Sequence, residues 1–431
     1  MAERIPSYDS VARLRELDRY RVADLLALRY ERMLASPLAY YRGAALVMSD
    51  DLARGRSSSI EVQICGDAHL ANFGVFSSPE RELVFDVNDF DETDQGPFEW
   101  DVKRLVASLA IAAEQLGHDA THQAMIVRDA ARTYQRSMRL FAHETRLNVW
   151  YSTLDVESIL RDLRGFFTDS ALRQVDDVIR LAKGKDAKGL LQEMVTYTEF
   201  GPRIRARPPL VTPLHERPSG SLDTRDVIYR VLAGYGQTLS SDRRALLAQF
   251  TPVDAAHQVV GIGSVGTECY IILMVGRDDR DTFFLQVKEA RPSVVSVARG
   301  LSPTTPPGAR VVAGQKLMQA SSDVFLGWHS LRSARTERGF YVRQLYNNKA
   351  SVRVDQLDEA QLLAYGRVCA WTLARAHARS GQSAQIAGYL GQSESFARAM
   401  VSFSITYRDQ NLVDFRALAR AAALGHLPVS P

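Results

Sequence analysis

Apolar residues recur at helical spacing between positions 11 and 34, which predicts an opening helix that stops before Ser36-Pro37, where the proline restrains the residue ahead of it. The period then shortens. Positions 60–64 and 83–87 are short apolar runs, and Ser77-Ser78-Pro79 between them is a turn signal, so the two runs are expected to pair as a hairpin. Helical periodicity returns from Trp100 to about His143, and short helices broken at Gly165 and Gly184 are expected over positions 155–200. Positions 201–220, dense in proline and arginine, cannot hold a regular helix or a central strand and are expected to form a long surface loop.

From position 253 to 287 the texture becomes β-rich, with apolar and β-branched runs separated by a glycine-rich turn and by Gly276-Arg277-Asp278-Asp279. A helix is expected over 309–320, a strand over 340–345 and a long helix over 357–378. No fixed-period repeat is visible. The pattern divides the chain into a helical lobe (1–250), a β-rich lobe (251–346) and C-terminal helices that complete the first lobe (347–431), an α+β protein of two lobes.

Composition narrows the class. The 431 residues are 46% hydrophobic and 24% charged, within the globular range, and a net charge of +3 supplies no field that would select nucleic acid or an anionic membrane. Three separated cysteines, Cys65, Cys269 and Cys369, have neither zinc-ligand nor redox-pair spacing, and the start lacks a signal-peptide pattern; a cytoplasmic protein is expected.

Two segments are chemically loaded. Cys65-Gly66-Asp67-Ala68-His69-Leu70-Ala71-Asn72 gathers a carboxylate, an imidazole and a carboxamide in one loop after a strand. Phosphoryl transfer needs a group that orients or deprotonates the attacking hydroxyl and oxygen ligands for magnesium, and an Asp followed five residues later by Asn supplies both. The next strand ends in Asp86-Val87-Asn88-Asp89-Phe90-Asp91-Glu92, whose oxygens could hold a hard cation against a polyphosphate. Taken singly, either segment reads as turn and cap chemistry; their succession is what points to a site.

The second constellation is Gly261-Ile262-Gly263-Ser264-Val265-Gly266-Thr267. Glycines let backbone amides approach phosphate oxygens, and Ser264 adds a hydroxyl. A Rossmann or Walker loop must open a helix, whereas positions 269–274 read as a strand, so the loop joins two strands as in kinases. Lys288, at the end of the following strand, is then the candidate for contacting nucleotide phosphates. No acidic residue lies between Glu289 and Asp323 to pair with it; Gln315, Gln319 and Asp323 are the candidates to orient it. Arg42, Lys103 and Arg104 could clamp phosphate but read first as surface charge, and His377 as a helix-end residue.

Gly66-Asp67-x-His69-x-x-Asn72, then Asp89-Phe90 and Gly96-Pro97-Phe98-Glu99-Trp100-Asp101, resembles the motifs of aminoglycoside phosphotransferases and choline kinases, in the protein-kinase-like superfamily. The resemblance implies a catalytic Asp67 with His69 beside it, metal ligands Asn72 and Asp89 with Asp86 competing, a structural Asp101, and nucleotide contacts from Gly261, Gly263, Ser264, Gly266, Thr267 and Lys288. Cys65 departs from the usual histidine. The motifs run in reversed order, with the catalytic segment first, which implies a circularly permuted bilobal kinase-like fold. Nearly the whole chain also resembles the bacterial domain-of-unknown-function 2252 family. Together these imply an ATP- and magnesium-dependent phosphotransferase acting on a small molecule rather than a protein; AMP transfer to a protein and a nucleotide-binding pseudokinase scaffold are the alternatives.

Overall fold

The computed structural model describes residues 8–155, 193–199, 201–216, 221–332, 337–345 and 352–429. Gly165, Gly184 and most of the short helices expected around them lie outside these residues.

The opening segment is broken. Helix α1 (Ser10–Asp18) is capped by Asp9, whose carboxylate accepts from the N–H groups of Val11 and Ala12. The chain then leaves the helical path, and the Val22 N–H donates to the Gly266 carbonyl at 2.8 Å before α2 (Leu26–Leu34) begins. Pairing with a distant loop overrides the local period here. Ser36-Pro37 starts a helix as well as ending one: Ser36 caps α3 (Pro37–Gly43), and Pro37 occupies its first turn, where a missing N–H costs nothing. Helix α4 (Ala45–Arg54) follows.

The expected hairpin between positions 60–64 and 83–87 does not form. Strand β1 (Glu61–Ile64) pairs antiparallel with β4 (Asp94–Pro97), while β2 (Phe73–Ser77) pairs with β3 (Leu83–Val87) across the Ser78 turn. β3 takes the partner nearer in sequence, and β1 pairs beyond it with β4. This nesting lays loop 65–72 beside the segment after β3, where the Asn88 N–H donates to the Asn72 carbonyl at 2.8 Å.

Helix α5 (Phe98–Gln115) is buried almost all round, as its near-continuous apolar sequence requires. It packs against α6 (Ala120–His143), which is followed by α7 (Arg146–Tyr151). Positions 195–198, expected to be helical, form β5 (Val195–Thr198), paired with β6 (Gly201–Ile204). The expected loop over 201–220 therefore contains strands, including β7 (Val211–Pro213), before α8 (Ser221–Tyr235) and α9 (Ser241–Leu247). Proline is tolerated in β7 because that strand lies at a sheet edge.

That sheet has six antiparallel strands in the order β11-β12-β10-β9-β8-β7. Its remaining members are β8 (Thr251–Gln258), β9 (Cys269–Val275), β10 (Thr282–Ala290), β11 (Gly327–Arg332) and β12 (Glu337–Gln344). Strands alternate their side chains, so Phe283, Leu285 and Val287 join the core with Ile228, Val231 and Tyr235 of α8, whereas Phe284, Gln286 and Lys288 take the opposite face. Because β7 and α8 belong to this layer, the β-rich unit begins before the boundary expected at 251.

Helices α10 (Val294–Ala298) and α11 (Pro307–Met318) follow β10. The C-terminal helices α12 (Glu359–His377), α13 (Ser383–Leu390) and α14 (Ser395–Ala423) return to the helical part, where α6 touches all three. No helix among the described residues is long and apolar enough to cross a membrane.

Candidate functional site

The chemistry-bearing loop after β1 is fixed by one carboxylate. Asp101, in the first turn of α5, accepts from the backbone N–H of Cys65 at 2.8 Å and of Gly66 at 3.0 Å. His377, buried at the end of α12, faces Asp101 with Nε2 at 3.3 Å and Tyr134 with Nδ1 at 2.8 Å, so it joins three helices rather than satisfying helix-end carbonyls. Gly66 has φ +78°, and a Cβ there would lie 2.1 Å from the Glu92 carbonyl oxygen; only glycine fits.

Asp67 sits beyond that turn with 15% of its side chain exposed. Burial pushes its carboxyl pKa up; Arg104, whose Nε donates to Oδ1 at 2.8 Å, opposes this and keeps a positive charge at its side. Arg104 is thus a buried partner of the site and not surface charge. His69 Nε2 lies 3.6 Å from Asp67 Oδ2, and burial together with the nearby Arg42 and Arg104 holds the imidazole neutral by driving its pKa well below the usual value. Asn72 Nδ2 donates to the Asp67 carbonyl at 2.7 Å, which sets the amide's orientation and leaves its oxygen to act as a ligand.

The two competing aspartates separate clearly. Asp86 is 1% exposed: it accepts from the N–H of Val87 at 2.8 Å and of Ala320 at 2.9 Å, and its Oδ1 lies 2.5 Å from Arg375. Its oxygens are committed to joining β3, α11 and α12, and it lies outside the cavity, so the metal-ligand expectation for Asp86 is corrected. Asp89 lines the cavity, and among the described residues its carboxylate accepts only a 3.2 Å bond from the Asp91 N–H.

Lys288 has a partner that none of the three expected candidates supplies. Its Nζ lies 2.6 Å from Asp91 Oδ2, and the Tyr341 hydroxyl donates to the other oxygen of Asp91. Burial pushes the Asp91 carboxyl up, but the Lys288 ammonium and the hydrogen bonds prevail and hold it at about 2. Gln315 instead bonds Gln319, Gln319 bonds the Val87 carbonyl, and Asp323 accepts from the N–H groups of Phe325 and Gln344.

The glycine loop is held from outside. Arg29 and Arg32 of α2 donate to the carbonyls of Ile262 at 3.0 Å and Val260 at 2.8 Å, Arg21 donates to Val265, and Leu25 packs on Val259 and Val265. Gly266, at φ +84°, forms the turn into β9 against Arg21. The side chain of Ser264 lies outside the described residues.

These segments meet around a cavity of about 490 Å³. Asp67, His69, Asn72 and Asp89 line one side; Gly261, Gly263, Gln286, Lys288 and Arg343 line the other. A second cavity of about 740 Å³ adjoins it, lined by Thr267, Asp91, Glu92 and Arg291 among others. Arg42, Asp67, Asn72, Asp89 and Gly263 belong to both. Gly266 is absent from both linings. Among the described residues no three His, Cys, Asp or Glu side chains form a metal-holding group.

Tyr341 and Arg343 escaped the sequence reading, as did the pairing of Asp91 with Lys288 and that of Arg104 with Asp67. Asp91 carried a usable signal, an acid two residues after Asp89 in an already acidic run; Arg104 carried another, a cation amid Leu105, Val106 and Leu109 on a buried helix.

The chain is an α+β protein with a polar cleft between a helical part and an antiparallel sheet. It belongs to the family described as uncharacterized proteins conserved in bacteria, DUF2252, which matches residues 21–421. No curated protein and no solved structure matches it.

Proposed function

We propose that the chain is an ATP- and magnesium-dependent phosphotransferase with a circularly permuted kinase-like fold, acting on a hydroxyl of a small-molecule acceptor. The observation that carries this reading is the single cavity shared by Asp67, Asn72 and Asp89 with Gly261, Gly263 and Lys288, segments nearly 200 residues apart in the chain. Chance acidic turns and a chance glycine turn have no reason to meet.

Each residue has a role suited to its surroundings. Asp67, oriented by Arg104, aligns the acceptor hydroxyl and takes its proton. The Asn72 amide oxygen and the Asp89 carboxylate are a two-ligand set, too sparse for an all-protein cage but suited to magnesium carried by phosphates, which supplies charge neutralisation when bound. Glycine-loop amides and Lys288 position the polyphosphate. Asp91 takes the place of the missing acidic partner of Lys288, so the lysine is tied to the segment that bears Asp89.

The test is thermal unfolding of wild type and Asp89→Ala, with and without ATP and magnesium. Magnesium-dependent stabilisation by ATP in wild type, lost in the variant, is expected. Absence of any shift in wild type removes the nucleotide reading, and product mass separates phosphoryl from nucleotidyl transfer.

A further inference from the structure

Five residues, Arg42, Asp67, Asn72, Asp89 and Gly263, line both cavities and mark the seam between them. Among them Arg42 is the only cation. Three cations line the central cavity: Lys288 is paired with Asp91 at 2.6 Å, Arg343 Nε donates to Gln286 Oε1 at 3.1 Å, and Arg42 has no hydrogen-bonded partner among the described residues. Its Nε is buried and unpaired. A buried N–H without an acceptor is costly, and the guanidinium that carries it has the planar fork that matches phosphate oxygens.

The neighbouring loop leaves room for such a ligand. A Cβ on Gly261 would meet nothing within 4 Å, and one on Gly263 would find the Arg42 carbonyl oxygen as its nearest atom at 3.7 Å. Packing within the chain therefore does not require glycine at either position, whereas close approach of a phosphate would.

We propose that Arg42 binds the terminal phosphoryl group of the nucleotide at this seam and neutralises its non-bridging oxygens during transfer. The inference rests on the phosphotransferase reading. As the acceptor oxygen bonds to the terminal phosphorus, the bond from that phosphorus to the bridging oxygen breaks. The nucleoside diphosphate leaves with the electron pair, and the hydroxyl proton passes to the Asp67 carboxylate. A guanidinium placed there acts on the terminal group and not on the diphosphate that remains.

The experiment is calorimetric binding of ATP and of ADP, each with magnesium, to wild type, Arg42→Gln and Arg42→Lys. Arg42→Gln should weaken ATP by about tenfold or more while moving ADP by less than about twofold, with Arg42→Lys between the two. If the glutamine variant does not fold, the lysine variant carries the test, since it keeps the charge and loses the fork. An unchanged ratio of ATP to ADP affinity in the variants overturns the role of Arg42 and leaves the parent reading intact. Wild type that binds neither nucleotide overturns both.

Discussion

Loop 65–72 and loop 259–267 face each other across one cavity and are held in opposite ways. The first is gripped from within its own lobe: Asp101 takes two of its N–H groups, Arg104 takes the Asp67 carboxylate, and Ser108 takes the Leu70 N–H, all from one buried helix fewer than 40 residues away. The second is gripped by its carbonyls, from Arg21, Val22, Arg29 and Arg32, more than 220 residues distant. Where a side chain must be aimed, buried charge fixes the backbone beneath it. In the glycine loop, whose amides are proposed to meet a ligand, the fold grips the backbone by its carbonyls instead.

The comparison breaks first at Asp101. Asp101→Ala removes a charged acceptor from two N–H groups and leaves His377 facing an empty position, so a loss of about 3–5 kcal/mol is expected in denaturant unfolding. A loss under about 1 kcal/mol would mean that the loop is positioned by something else.

One substitution made in both loops sharpens it further. Gly66→Ala forces a side chain into a positive φ and against the Glu92 carbonyl, and should cost about 2–4 kcal/mol. Gly261→Ala, at φ −55° with open space around it, should leave stability within about 0.5 kcal/mol of wild type. Equal costs at the two positions, read from urea midpoints, would erase the distinction between a loop that needs glycine for its own packing and one that does not.

How legible each region was follows from the same contrast. The β-rich texture after position 253, the helices around α5 and α12, and the residues of both loops could be read from local period and residue type. Pairing could not: β1 and β3 look like a hairpin because β2 carries Gly74 and β4 carries Gly96 and Pro97, and only the three-dimensional nesting reveals their partners. Asp86 and Asp89 are indistinguishable by composition. Their difference is made by Arg375, 289 residues away, which buries one and leaves the other in the cavity. Asp91 was hidden for a similar reason: the partner of Lys288 was sought on the following helix, as local order suggests, but came from the lobe encoded first.

The smallest effect falls on the strap itself. Arg32 is only partly buried, and its contact with the Val260 carbonyl is a single neutral-acceptor bond at 2.8 Å, so Arg32→Ala should cost no more than about 1 kcal/mol of global stability. Its local consequence should be larger than its global one. Val260 lies at the entrance to the glycine loop, and releasing its carbonyl removes one of the four carbonyl grips, leaving those on Ile262, Val265 and Gly266, so opening free energies of the loop amides should fall while those of α5 stay near the global value. Native-state hydrogen exchange reads both together. Faster exchange confined to positions 259–267 would show that the N-terminal helices set the position of the glycine loop; an unchanged loop would transfer that role to the sheet strands on either side of it.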